Sequence, residues 1–280
     1  WTVTGSKVVS VRGEKTKNGT LSLPYPGRLK FSEGDGSATY YSYARDGDVA
    51  ILTLDDGKAN VMSPAMLAAL NAALDRAESE GAIVLLTGRE GVFSGGFDLK
   101  ILKRGGLPAL RMLRGGFDLA ARLLAFPRPV VVACTGHAVA MGVFLVLSAD
   151  YRVGAAGDFR LQANEVAIGL TMPRAALAIC RQRLAPAHFE RATLLSEAYT
   201  PEGAVAAGFL DRIVAPADLQ RVALAHAQSL ATLDIVAHTR SKLRSRAHAL
   251  RAIRRGTSAD MRELTLLGIR RMAQARLGGG

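Results

Sequence analysis

Two glycine-rich segments constrain this chain more than any other feature. They are Val92-Phe93-Ser94-Gly95-Gly96-Phe97-Asp98-Leu99-Lys100 and Thr135-Gly136-His137-Ala138-Val139-Ala140-Met141-Gly142. Each follows an apolar, strand-like run and precedes a helix-like run. A turn of that kind directs bare backbone N–H groups into a cleft, and two such groups, one per turn, make a pocket for a developing oxyanion. Main-chain donors need no particular side chain, but the chain must turn tightly, and Gly95, Gly96 and Gly142 supply that freedom. Taken singly, each turn reads first as an ordinary tight turn with close helix packing. Taken together, with Asn164-Glu165 downstream, they define a place where a carboxylate moves a proton beside an anion-stabilising pocket.

The flanking pattern is α/β. Val49 to Leu54 reads as a buried strand and Asp55 to Asn60 as a turn. Ser63-Pro64 opens a helix, with serine at the cap and proline in the first turn, and Met66, Leu67, Leu70 and Leu74 form its apolar stripe. Strands are expected over 82–87, 130–134 and 150–154. Helices are expected over 108–126, 142–149, 201–209 and 216–233. Alternating strands and helices imply parallel crossovers. Three regions follow: an N-terminal extension or appended segment over 1–44 (with a possible strand at 38–43), an α/β core over 45–215, and a helical region over 216–280. A chain that begins at Trp1 is expected to be a processed or trimmed form.

No apolar run approaches the roughly 20 residues of a membrane span. Cys134 and Cys180 are the only cysteines, both inside apolar runs. They read as buried free thiols of a reducing compartment, cytoplasmic or the interior of a reducing organelle, with no metal-ligand spacing. The net charge of +12 is concentrated beyond Ala237, where eleven Arg or Lys face Asp260 and Glu263. Such a cluster attracts polyanions. No aromatics interleave it, so a nucleic-acid surface is not expected. A solvated helical face that also meets a neighbouring subunit is the plainer reading.

From about Asp48 to Leu233 the chain resembles the crotonase superfamily of enoyl-CoA hydratases and isomerases. Four segments carry the resemblance, in order: Phe93 to Lys100, Gly136 to Gly142 followed by Asp150-Tyr151-Arg152-Val153, Asn164-Glu165-Val166-Ala167-Ile168-Gly169-Leu170, and Ala204 to Val214. The resemblance implies a crotonase-like spiral of ββα units with a C-terminal helical trimerisation region. It implies a fatty acyl-CoA substrate, with coenzyme A as part of the substrate and no separate cofactor. It also implies a homotrimer or dimer of trimers. Carried over by position, the N–H groups of Phe97 and Met141 form the oxyanion hole and Glu165 is the catalytic carboxylate. Lys58, Ala59, Gly96 and Asp98 lie along the coenzyme A side; Asp98 also reads as a helix cap and Lys58 as a solvated turn lysine.

One departure bears on the reaction. Hydratases of this family use two glutamates, and the position of the first is Phe144 here, while Met141 replaces a family glycine. A single carboxylate beside an oxyanion hole resembles the Δ3,Δ2-enoyl-CoA isomerase branch. A phenyl ring cannot orient water, but it makes a dry wall that raises the glutamate's pKa toward working pH. A hydratase is the alternative, with His137 the one nearby group to place water. A CoA- or RNA-binding module with little catalysis is the third reading. Arg174, after Met172-Pro173, is expected near the cleft, where it either touches substrate or pairs with Glu165 and quenches it.

Overall fold

The structure, a computed structural model, describes residues 14–15, 21–22 and 40–277, with side chains over 40–267. The expected strand at 38–43 lies partly outside these residues; the strand seen begins at Tyr41. Glu14–Lys15 (β1) and Leu21–Ser22 (β2) pair antiparallel.

The core is built on two sheets. The larger has six strands: Tyr41–Asp46 (β3), Val49–Leu54 (β4), Ile83–Thr87 (β5), Val130–Cys134 (β7), Tyr151–Ala155 (β9) and Arg212–Val214 (β11). Their order is β11-β9-β7-β5-β4-β3, antiparallel only between β3 and β4. The smaller is a parallel three-stranded sheet of Gly91–Ser94 (β6), Gly136–Val139 (β8) and Leu161–Gln162 (β10), in the order β10-β8-β6. Three times the chain leaves a strand of the large sheet and at once adds one to the small sheet: β5 to β6, β7 to β8, β9 to β10. Helices carry it back. This is the spiral of ββα units that the resemblance implied. The second glycine segment therefore begins as a strand, β8, before it turns.

Every residue of β5 and β7 is buried, as parallel strands covered on both faces require. One face packs on Pro64–Ser79 (α1), Gly106–Ala125 (α3) and Met141–Leu147 (α4). Ser63 caps α1 by accepting the Met66 N–H, and Met66, Leu67, Leu70 and Leu74 are all buried, as their spacing predicts. The other face carries Leu219–Ser229 (α8), which buries Leu219, Ala223 and Ala227 and stacks His226 on Tyr151 at 3.7 Å. The helix expected over 216–233 is thus an α-helix flanked by 3₁₀ turns at Pro216–Asp218 and Leu230–Thr232. Cys134 and Cys180 are free and buried. No described helix is long and apolar enough to cross a membrane.

The basic C-terminal region forms one helix, Ile235–Leu277 (α9). Its charge is not all solvated. Lys242 and Arg246 turn inward and converge on Asp150, at 2.7 and 2.9 Å, while Asp150 also accepts the Val130 N–H. Lys242 donates to the Arg128 carbonyl as well, and Arg246 to that of Leu124. Burial pulls the Lys242 ammonium down to about 8, against the favourable field of Asp150. One carboxylate thereby docks the helix onto the end of β7. Asp150→Ala would leave two buried cations without an anion and should lower stability by about 3–5 kcal/mol, read as a large fall in the urea midpoint; a shift within experimental error would show that the ion triad contributes nothing to docking α9.

Candidate active site

The site forms where the small sheet presents the ends of β6, β8 and β10 side by side. At the end of β6 the chain runs through Gly95 and Gly96 into Leu99–Arg104 (α2). At the end of β8 it turns through Ala140 into α4, with Met141 as the first helical residue. Beyond β10 lies Glu165, at the start of the 3₁₀ turn Val166–Ile168.

The two turns touch. Gly96 has φ +88°, and a Cβ on it would lie 2.8 Å from the Ala140 Cβ and 3.2 Å from the Met141 nitrogen. No other residue fits there, on conformation or on space. Neither the Phe97 N–H nor the Met141 N–H has an acceptor among the described residues. The two donors are thus brought to one place and left unspent.

The second turn corrects the expectation that Gly142 supplies its conformational freedom. The residue in the positive-φ region is Ala140, at φ 49° and ψ −123°. A non-glycine residue there costs on the order of 1–3 kcal/mol. The conformation is held by the Ala140 N–H, which donates to the Gln162 carbonyl of β10 at 2.9 Å. Gly142 is required for space: a Cβ there would lie 2.4 Å from the Ser94 carbonyl oxygen.

The first turn is locked from the other side by the loop 55–61. Asn60, fully buried at φ 49°, donates through its side-chain amide to the carbonyls of Leu54, Val92 and Phe93. Its own carbonyl accepts the Ser94 hydroxyl, and the Ala59 carbonyl accepts the Gly95 N–H at 2.7 Å. Lys58 therefore sits at the rim of the first turn with its side chain exposed, while its carbonyl accepts from Arg89. Asp98 caps α2, accepting the N–H groups of Lys100 and Ile101.

Glu165 is 6% exposed, and its Oε2 has no hydrogen-bond partner among the described residues. Burial pushes its carboxyl up to about 7. Its turn is pinned by Ser196, whose hydroxyl accepts the Ala167 N–H and whose carbonyl accepts the Gln162 side chain. The Leu170 N–H closes back on the Glu165 carbonyl at 2.8 Å. Arg174 goes elsewhere: its guanidinium pairs with Asp260 and Glu263 of α9, both at 2.7 Å. Of the two outcomes expected for Arg174, the quenching one is overturned, because two carboxylates on α9 outcompete a single desolvated one.

The wall beside the turns is aromatic. The ring of Phe97 meets Phe117 edge-on at 6.1 Å, and Phe117 meets Phe144 at 6.3 Å, with Phe144 fully buried. His137 is engaged outside this wall: its Nδ1 accepts the Arg160 N–H at 3.1 Å and its ring packs edge-on against Phe159. Asn60, Ser196, Gln162 and Ala140 were not singled out by sequence reasoning. None of them carries a local signal: the positive φ of Ala140 is visible only in the backbone, and Ser196 lies some thirty residues from what it holds.

Known proteins bear on this geometry. The enoyl-CoA hydratase/isomerase family profile matches residues 44–266. A solved Mycobacterium tuberculosis enoyl-CoA isomerase is 50% identical with a TM-score of 0.76, covering 78% of this chain and 96% of that one. A probable enoyl-CoA hydratase of Mycobacterium avium is 31% identical over 198 residues, which is 66% of this chain and 73% of the relative. The peroxisomal enoyl-CoA delta isomerase 2 of Arabidopsis thaliana is 33% identical over 175 residues, 59% of this chain and 73% of the relative. A spiral of ββα units whose glycine turns converge beside a dry carboxylate, matched over this length, places the chain in the enoyl-CoA hydratase/isomerase family. It is an enzyme of that family.

The burial of Glu165 has a thermodynamic consequence. Its folded pKa is raised above the usual 4.5, so the folded state holds a proton that the unfolded state releases between pH 4.5 and about 7. Stability is lost as pH rises through that window, by on the order of 3 kcal/mol in full. Glu165→Gln should therefore be more stable than wild type at pH 8 and gain little or nothing at pH 4.5. Equal gains at both pH values, measured by urea unfolding, would show that the carboxyl titrates normally.

Proposed function

We propose that this enzyme is a Δ3,Δ2-enoyl-CoA isomerase in which Glu165 alone moves the proton. The observation that carries the reading is a single buried carboxylate with no cationic partner among the described residues, three residues past the strand that pairs with the second of two converging turns, whose Phe97 and Met141 amides are unspent.

In a 3-enoyl thioester the C2 hydrogens lie between a carbonyl and a double bond, so removing one gives a delocalised dienolate. The thioester oxygen would be held between the amides of Phe97 and Met141, where the negative charge develops. The Met141 donor opens a helix, and the N-terminal end of the helix dipole adds to it. Glu165 takes the C2 proton, becomes neutral, and returns that proton to C4 as the double bond moves to C2. The reaction consumes no water and leaves the enzyme unchanged. A carboxyl poised near neutrality suits both halves of this cycle, because a base of ordinary strength would be too weak to take the first proton.

Phe144 favours isomerisation over hydration. It stands where the resemblance puts a hydratase's first glutamate, and it is fully buried against Phe117. His137 is a poor substitute base, since its Nδ1 accepts the Arg160 N–H and the neutral ring then carries its proton on Nε2. Coenzyme A would approach along Lys58, Ala59, Gly96 and Asp98, with Lys58 exposed at the rim of the first turn, Ala59 and Asp98 half-buried and Gly96 buried. For Asp98 that role would fall to backbone, its carboxylate being engaged as a cap. Homotrimeric assembly, or a dimer of trimers, is supported by apolar side chains left in solvent on one subunit: Val166, Ile168 and Leu170 beside Glu165, and Leu264, Leu266 and Leu267 on α9.

Conversion of 3-hexenoyl-CoA to the conjugated 2-enoyl thioester, followed by its ultraviolet absorbance, tests the reading. Wild type should show kcat/KM rising with pH through about 7 and then levelling, as Glu165 loses its proton. Glu165→Gln should lose at least a thousandfold in kcat while still binding hexanoyl-CoA. Rapid loss of absorbance from 2-hexenoyl-CoA in water would instead identify a hydratase.

A further inference from the structure

We propose that Gly116, in the middle of α3, is a positioning residue for the oxyanion pocket, because it is the point at which one helix seats the side chains of both donor residues. The proposal rests on the reading of the Phe97 and Met141 amides as those donors. A Cβ on Gly116 would lie 2.4 and 2.5 Å from Cε1 and Cζ of the Phe97 ring and 3.3 Å from the Met141 sulfur. These two side chains come from turns more than forty residues apart in sequence, and they meet α3 at the same missing Cβ.

The Phe97 ring has little room to yield. It is 7% exposed and fenced by Phe117, the next residue of α3. Its backbone is tied to the strand-like pairing of Met62 with Phe97, where the Met62 N–H donates to the Gly96 carbonyl at 2.7 Å. Met141 is fully buried and follows the strained Ala140. Extra volume at position 116 is therefore passed to the backbone of one or both turns. Glycine is unfavourable inside a helix relative to alanine, so its presence here goes against the local interest of α3. Its neighbour Gly115 supplies the control. A Cβ there meets only Leu67 Cδ1, at an ordinary 3.4 Å.

The test compares Gly116→Ala with Gly115→Ala, which changes helix propensity equally. Two quantities are read: turnover of 3-hexenoyl-CoA, and the infrared carbonyl stretch of bound hexanoyl-CoA carrying ¹³C at C1. That stretch falls when two N–H groups polarise the thioester. Displacing the donors by about 1 Å can cost on the order of a hundredfold, so Gly116→Ala should lower kcat ten- to a hundredfold with KM within threefold. Its carbonyl stretch should return toward the free-ligand value, whereas Gly115→Ala should keep both wild-type properties. Adding Phe97→Leu to Gly116→Ala removes the colliding ring carbons and should recover at least fivefold in kcat. If Gly116→Ala does not fold, the double variant carries the comparison: recovery of fold and carbonyl shift supports the assignment, and continued failure overturns it. Gly116→Ala matching Gly115→Ala, or losing activity with an unmoved stretch, also overturns it. A wild-type carbonyl at the free-ligand frequency would sink the functional reading itself and this assignment with it.

Discussion

Everything at the site depends on the parallel pairing of β6, β8 and β10. The strands end together, so three segments far apart in sequence leave the small sheet as neighbours: the Gly95-Gly96 turn, the Ala140-Met141 turn and the Glu165 turn. The hydrogen bond from the Ala140 N–H to the Gln162 carbonyl is the last rung of that sheet. It fixes the second turn in an unfavourable backbone region and fixes the approach of the glutamate segment to it. The oxyanion pocket proposed here is made of main-chain groups with no side chain to adjust, so its precision would come from the register of the strands that carry it.

Desolvation is what the proposed chemistry draws on. A carboxylate on an exposed turn would be a weak base. Burying Glu165, with no cation from the described residues to offset the loss of water, raises its proton affinity to the range where transfer to and from carbon is feasible. The same burial is unfavourable for folding above neutrality, and the large core covers that cost. Arg174 could have neutralised the effect from its place after Pro173, but α9 draws it away with Asp260 and Glu263. The long C-terminal helix thus protects the site's electrostatics while it clamps the core through Asp150.

The parts of this arrangement legible in the sequence were those encoded locally. The Ser63-Pro64 cap, the Asp98 cap, the buried runs 49–54 and 130–134 and the two glycine turns each declare themselves within ten residues. Glu165 was legible through its resemblance in context, not through any property of a lone glutamate. What escaped was set by tertiary contact. The inward turn of Lys242 and Arg246 depends on an aspartate more than ninety residues earlier, and their sequence neighbours Arg244 and Arg251 face solvent. Asn60 looked like a turn residue and is also the clasp between two loops. Ala140 looked like an unremarkable alanine, and only backbone geometry shows that it occupies a glycine's conformation.

Burial of Glu165 raises its proton affinity to near neutrality, and the proposed chemistry rests on that shift. The most direct measurement is a difference infrared titration of the unliganded enzyme against Glu165→Gln, following the protonated carboxyl band between pH 4 and 9. If burial raises the carboxyl in this way, the band attributable to Glu165 persists through pH 6 and disappears around pH 7. Loss of the band near pH 4.5, the behaviour of a solvated carboxyl, would contradict that shift.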